Sequence, residues 1–366
     1  MTYLDGVSQT LDRIRVEGRY RTLETHQLSG AIDFSSNDYL GLATNPQVLQ
    51  AFRHATRVGS GGSRLLGGRH REHSLLEEEL AAWLGRERAL IFSSGYLAAL
   101  GAIPVLGRMV KAIYSDALNH ASLIDGVRMS HAERVVYPHA ELPARSERID
   151  GALIVTESIF SMDGDTVDVR ALVEGMGRND VLLVDEAHAL GVAGPHGSGI
   201  ASEIDDSRAV VMGTLSKAFG CQGGFVAGPA ALIELLVNTA RSFIFDTALP
   251  PAIALAARVA LVQLRNGDEA RKRLHENVQR TRDGLASLGF VVAGGPAPIV
   301  PVVLGAESRA VNVSKALMAK KLYVPAIRPP TVPPGTSRLR ISLRADHISE
   351  QIDLLIEGIR ECIATL

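Results

Sequence analysis

The residues best placed to do covalent chemistry are a lysine and, upstream of it, a carboxylate and an imidazole. Lys217 lies in Gly213-Thr214-Leu215-Ser216-Lys217-Ala218-Phe219-Gly220, between an apolar run at 209–212 and a glycine-rich run at 222–228. That pattern reads as strand, functional turn, strand. Upstream, the apolar residues 181–184 end in Asp185, and His188 follows three residues later. Taken singly, a lysine is more often a solvated surface charge, and a strand-end aspartate is often a helix cap. An amine, a carboxylate and an imidazole all at strand ends fit a pyridoxal phosphate site. The lysine would form the Schiff base, the carboxylate would keep the ring nitrogen protonated, and the histidine would lie by the ring oxygen.

The elements that must position these groups read as an alternation of strands and helices. Short apolar strands are expected at 89–92, 112–115, 135–137, 152–156, 181–184, 209–212 and 225–227. Most are apolar on both faces and separated by crossover-length segments. This predicts an α/β fold with a mainly parallel, helix-covered, seven-stranded sheet. Ligands bind such sheets at the carboxyl ends of the strands. Ser94-Gly95-Tyr96, Thr156-Glu157, Asp185 and Thr214 all fall there. Backbone amides at the helix start after Ser94 suit a phosphate, and Thr214 offers a hydroxyl to it. Leu76, Leu80, Trp83 and Leu84 share one helical face that Gly85 stops, so Trp83 is expected in the core. Past the turn signal at 266–269 the composition shifts. An amphipathic helix at 271–288, strands at 299–304 and 339–343, and a terminal helix bearing Ile352, Leu355, Ile356, Ile359 and Ile363 on one face read as a smaller α+β domain. The expected division is an N-terminal segment at 1–33, a large domain at 34–265 and a small domain at 266–366.

Other motifs have plainer readings. Residues 59–68 are glycine-rich but contain no Gly-Lys-Ser/Thr, so they read as a tight loop rather than a Walker A phosphate loop. His70 and His73 with Glu77 read as helix capping and surface pairing, because no second ligand pair accompanies them; no metal site is expected. Arg13, Arg15, Arg19 and Arg21 read as the solvated face of a polar N-terminal helix and its link.

In order along the chain stand Ser35-Ser36-Asn37-Asp38-Tyr39-Leu40-Gly41-Leu42, Ser60-Gly61-Gly62-Ser63, Ser94-Gly95-Tyr96, Asn119-His120-Ala121-Ser122 and the run from Thr156 to Asp165. Val184-Asp185-Glu186-Ala187-His188, Thr214-Leu215-Ser216-Lys217 and Ile327-Arg328-Pro329-Pro330-Thr331-Val332-Pro333 complete the series. Eight motifs in this order cover almost the whole chain, and together they resemble the α-oxoamine synthases, fold type I pyridoxal phosphate enzymes. The resemblance implies that His120 stacks on the pyridine face, that Ser161 and Glu157 line the cofactor, and that Arg340 holds an amino acid carboxylate. It implies substrate contacts from Asn37 and Thr331, and from an arginine near the N-terminus, Arg21 or its competitor Arg19; Arg328 either contacts substrate or braces its loop. It further implies a homodimer with its site between subunits, Ser60-Gly61-Gly62 and Asp246-Thr247 reaching the neighbour. The proline-rich 327–333 stretch favours the member that condenses L-alanine with a pimeloyl thioester, on CoA or on a carrier protein, in biotin biosynthesis. Members that use glycine with acetyl- or succinyl-CoA are the nearest alternative. A catalytically silent subunit would be expected to lose the lysine, which is present here.

Composition narrows the remaining classes. Against 40 Asp and Glu stand 38 Lys and Arg, a formal net charge of -2, which gives no basis for a polyanion-binding surface; no nucleic acid partner is expected. Two cysteines, Cys221 and Cys362, make no disulfide framework and suggest a reducing compartment. No apolar run reaches the roughly 20 residues that span a bilayer, and no secretory signal is read at the start. A cytoplasmic protein without membrane contact is the expectation.

Overall fold

The computed structural model describes residues 2–21, 30–292 and 294–365. Taken in chain order, its strands are β1 (Ile32–Asp33), β2 (Arg88–Phe92), β3 (Ala112–Asp116), β4 (Glu133–Tyr137), β5 (Ala152–Glu157), β6 (Val181–Asp185), β7 (Ala209–Thr214) and β8 (Gly224–Gly228). They continue with β9 (Ile299–Gly305), β10 (Leu322–Tyr323), β11 (Ala326–Ile327) and β12 (Ser337–Ser342). The large sheet contains the seven expected strands in the order β2-β8-β7-β6-β5-β3-β4. Its pairings are parallel except at β8, which runs antiparallel to both neighbours. The inner strands β3, β5 and β7 are buried at every residue. That burial explains why their sequences are continuously apolar instead of alternating.

Strand order reverses beside β3, which has β4 on one side and β5 on the other. A reversal of this kind opens a crevice at the carboxyl ends. The helices Gly95–Leu106 and Ala121–Met129 start at this edge, directly after β2 and β3. Trp83 is buried, as its helical spacing predicts, and closes the helix Arg71–Trp83. At the start of that helix His70 is the N-cap, as expected. His73, however, is fully buried and bonded to the Leu249 carbonyl at 2.6 Å, and Glu77 pairs with Arg64 at 2.9 Å. The expected surface pairing is thus replaced, for His73, by a bond inside the core.

The smaller α+β domain is built on the antiparallel sheet β11-β12-β9, covered by the helices Asp268–Ser287, Glu307–Ala319 and Ser349–Thr365. The N-terminal stretch is stitched to it. Strand β1 pairs in parallel with β10, Ser342 N–H donates to the Phe34 carbonyl (2.8 Å) and Ala345 N–H to the Tyr39 carbonyl (2.8 Å). Residues 32–39 therefore ride on the small domain and are carried to the crevice of the large one. No helix among the described residues is long and apolar enough to cross a membrane.

Candidate active site

Parallel strands that pair in register end together, and this brings three side chains to one line. Glu157 of β5 lies opposite Asp185 of β6, and Asp185 lies opposite Met212 of β7, two residues before Thr214. Both carboxylates are buried. Burial raises both pKa values, Glu157 well above its ordinary value, and the positive charge of Lys217 opposes the rise in each case. Lys217 follows β7 in a turn closed by Leu215 N–H to the Gly223 carbonyl (2.9 Å) and Gly220 N–H to the Lys217 carbonyl (2.8 Å). Burial pushes its amine down to about 8, against the attraction of Asp185 and Glu157, while the Arg340 charge acts in the same direction as burial. The amine, both carboxylates and the guanidinium are thus within electrostatic reach of one another.

The histidines sit on either side. His120 caps the helix after β3; its Nδ1 accepts from Ser122 N–H (3.2 Å), and its own backbone N–H donates to Glu157 Oε1 (2.6 Å). That bond spans the switch point of the sheet. The His120 ring keeps an exposed face, while the protein packed behind it lowers its pKa, against the pull of Asp185. His188 is buried, and burial holds it well below the ordinary histidine value. Its Nδ1 lies 2.6 Å from the Tyr39 hydroxyl, whose pKa burial pushes up to about 12. The bond engages Nδ1 and so holds the orientation of the ring.

The start of the helix Gly95–Leu106 presents backbone amides to the carboxyl edge of the sheet. Ser94 Oγ accepts from Leu97 N–H (3.1 Å), and the amides of Gly95 and Tyr96 have no intrahelical acceptor. A Cβ on Gly224 would stand 2.4 Å from Gly95 Cα and N, so only glycine lets β8 approach this closely. The Tyr96 side chain points away and is bonded to Asp125. The Thr214 hydroxyl lies 2.9 Å from the Gly223 carbonyl, its acceptor. The neighbouring exposed hydroxyl is that of Ser216, 2.7 Å from Thr214 Oγ1. Thr214 thus donates into the turn, and the Ser216 hydroxyl beside it is the more exposed of the two. Amide cradle, buried carboxylate and amine of lowered pKa together fit pyridoxal phosphate.

Arg340 of β12 is buried. It donates to the Ser161 carbonyl (2.6 Å), to Asn37 Oδ1 (3.1 and 3.2 Å) and to Ser342 Oγ (2.7 Å). Among the described residues no carboxylate lies within ion-pairing distance of it, so its charge is met only by neutral acceptors. Tyr39 Oη, 3.2 Å from Asn37 Oδ1, joins this group to His188. Tyr39 belongs to a motif noted in the sequence, but nothing in its spacing revealed this contact.

Arg21 and Thr331 stand apart from that group. With Arg328 they line a cavity of about 670 Å³, while Thr331 also lines a larger one of about 770 Å³ with Ser161 and Arg19. Arg19, not Arg21, faces the cavity that contains Ser161. Arg328 donates to the carbonyls of Gly18 and Tyr20, so it ties down the N-terminal link. Among the described residues no cluster of histidine, cysteine and acidic side chains could hold a metal.

The comparisons with known proteins agree with this geometry. A family model for class I and II aminotransferases matches residues 29–359. The chain is 42% identical over 356 residues to an 8-amino-7-oxononanoate synthase of Hydrogenovibrio crunogenus, covering 92% of this chain and 88% of that protein. A solved serine palmitoyltransferase from S. paucimobilis with PLP bound superposes with a TM-score of 0.88 at 29% identity, over 99% of this chain and 97% of the other. The crystal structure of an 8-amino-7-oxononanoate synthase from Francisella tularensis gives a TM-score of 0.80 at 30% identity, over 92% of this chain and 98% of the other.

Proposed function

Because the chain belongs to the α-oxoamine synthases, pyridoxal phosphate-dependent acyltransferases of fold type I within the class I and II aminotransferases, we propose that it condenses L-alanine with a pimeloyl thioester. The products are 8-amino-7-oxononanoate, CO2 and the free thiol, a step of biotin biosynthesis. The observation that carries the amino acid half is the buried Arg340 guanidinium, which has no carboxylate partner among the described residues and lies within electrostatic reach of Lys217 and His188. A planar fork of donors suits a carboxylate through two parallel hydrogen bonds.

The cofactor, when bound, supplies a carbonyl carbon for an amine and a protonated ring that accepts electrons from the substrate Cα. The chain supplies the rest. Asp185 would keep a proton on the ring nitrogen. Gly95, Tyr96 and Ser216 would hold the phosphate, Thr214 shapes the turn beside it, and His188 and Ser161 would line the ring. Arg340 and Asn37 fix the alanine carboxylate and so orient the bonds at its Cα. Lys217, whose amine loses its proton at about 8, takes the Cα proton and returns one after CO2 has left. His120 would lie against the ring and donate a hydrogen bond to the thioester carbonyl as the new C–C bond forms.

The assembly we propose is a homodimer. The segments around Ser60-Gly61-Gly62 and Asp246-Thr247 are joined by Ala248 N–H to the Gly62 carbonyl (3.0 Å) and Ser60 Oγ to the Leu249 carbonyl (2.7 Å). Around them Val58, Leu65, Leu66 and Phe245 are 89%, 51%, 86% and 71% exposed, an apolar surface of the kind a partner covers.

A matrix of amino acids against acyl thioesters, read by CO2 release, tests the reaction. Alanine with pimeloyl-CoA or pimeloyl carrier protein should give the highest turnover. Higher turnover with glycine and a short acyl-CoA would overturn the substrate pair and leave the acyltransferase chemistry standing.

A further inference from the structure

We propose that His139 is a positioning residue of this reaction: its imidazolium, held between Asp116 and Asp165, clasps the loop that orients Arg340 on the substrate carboxylate. The proposal rests on the reading of Arg340 as the carboxylate anchor.

His139 stands just past β4 in the wall of the larger cavity. Its Nδ1 is 3.0 Å from Asp116 Oδ1 and its Nε2 is 2.5 Å from Asp165 Oδ2. A neutral imidazole has one N–H and one lone pair, so it can donate to only one of two carboxylates on opposite nitrogens; the cation donates to both. Asp116 is the fixed jaw. It is buried at the end of β3, and its oxygens also accept from Leu118 N–H (2.8 Å) and Ala140 N–H (2.9 Å). Asp165 is the jaw that belongs to the loop at 158–166.

That loop is a tight hairpin. Phe160 N–H donates to the Asp165 carbonyl (3.0 Å), Gly164 N–H to the Phe160 carbonyl (2.9 Å), and Ile159 bridges Thr166. The Phe160 ring meets His139 edge-on, with centroids 4.4 Å apart. Gly164 has φ +71°, and a Cβ there would stand 2.5 Å from the Ile299 carbonyl, so the hairpin presses on β9. Its tip faces β12: the Ser161 carbonyl accepts from Arg340 and Asp163 pairs with Arg338. One side of the hairpin is clasped by His139, and the other sets the Arg340 guanidinium.

The charged groups around the clasp are accounted for. Across the cavity Asp163 and Arg338 pair with each other, and Arg19 pairs with Glu17 at 3.2 Å. Behind Asp116 lie Tyr137 and Glu157. Burial lowers the pKa of His139, but its bonds to Asp165 and Asp116 outweigh burial and leave it raised. A raised folded-state value means that the clasp is complete below the ordinary histidine value, about 6.5. It is lost as pH climbs through the raised value.

The test uses the holoenzyme, with KM for alanine and kcat measured against pH in the wild type, His139→Gln and Asp165→Asn. The His139 ring is followed separately by NMR of the histidine-labelled protein. The wild-type KM should rise as pH passes the His139 titration, with kcat at saturating alanine little changed. His139→Gln should show a KM about tenfold higher at neutral pH, the scale of one charge-assisted bond, and should lack the step. Asp165→Asn should bring the His139 titration down and raise KM by less. A His139 ring that titrates at or below the ordinary value sinks the proposal, as does a Gln variant that keeps both the wild-type KM and its step. A wild type that binds no amino acid carboxylate would overturn the reading of Arg340 itself, an outcome distinct from a normal KM left unmoved by the Gln variant.

Discussion

The carboxyl rim of the large sheet and the arginine-bearing strand β12 face each other across the crevice and handle buried charge in opposite ways. Around Lys217 burial drives the titratable groups of the rim toward their neutral forms: Asp185 and Glu157 upward, His188 and His120 downward, Lys217 down to about 8. Groups poised in this way can pass protons. On β12 the buried charged residues are arginines, Arg338 and Arg340, a type that keeps its charge when buried and offers donors in a fixed fork. The rim therefore suits the movement of protons and the strand suits the holding of an anion. A mobile proton needs a group near neutrality, and orientation needs a charge that does not come and go.

Lys217→Ala breaks the rim most completely. Turnover should fall to background and borohydride reduction should leave no cofactor on the protein; a label that maps to another lysine in the wild type would reassign the Schiff base. Asp185→Asn keeps the shape and removes the counter-charge. Breaking a buried pair costs about 3–5 kcal/mol, so exchange of the alanine Cα proton should slow by a hundredfold or more. The same change should move the Lys217 titration below about 8, because Asp185 holds that proton on. In the cofactor-free protein, where the amine is free, the pH dependence of labelling at Lys217 by an amine-selective reagent reads this directly, and an unmoved midpoint would separate the two groups.

Arg340→Lys probes the other side. Lysine keeps the charge but not the fork, so KM for alanine should rise at least about tenfold. The visible spectrum of the resting holoenzyme should be unchanged. The wild type should prefer alanine strongly over alaninol, and the variant should largely lose that preference. An unchanged preference in a protein merely less stable to heat would make Arg340 structural. The smallest effect is expected from Tyr39→Phe, which cuts the link between Asn37 and His188. One hydrogen bond contributes about 0.5–1.5 kcal/mol, so cofactor affinity should fall a few-fold to tenfold, measured by equilibrium titration. No loss at all would mean that the two sides of the crevice are not coupled through this phenol.

The rim was largely legible in the sequence, because its signals are local. An apolar run buried on both faces must be an inner strand, and the residue at its end must sit at the ligand edge of the sheet. Asp185, Thr214 and Lys217 follow from that rule without reference to anything distant. The seven strands and the terminal amphipathic helix were legible for the same reason. His73 was misjudged as part of a surface pair because its acceptor, the Leu249 carbonyl, lies 176 residues away.

By itself the sequence determined which strand ends would gather and which residue types they carry, since periodicity and apolar runs report burial within one element. The partners across elements were decided only in the folded chain. Asn37 meets Arg340 because β1 rides on β10, and Tyr39 meets His188 by the same attachment. Arg19 rather than Arg21 faces the cavity with Ser161 because Arg328 ties down the backbone at Gly18 and Tyr20. His139 stands between Asp116 and Asp165 from three separate connections. Each of these contacts is set by how two elements pack, and spacing along the chain reports proximity within an element but not between elements.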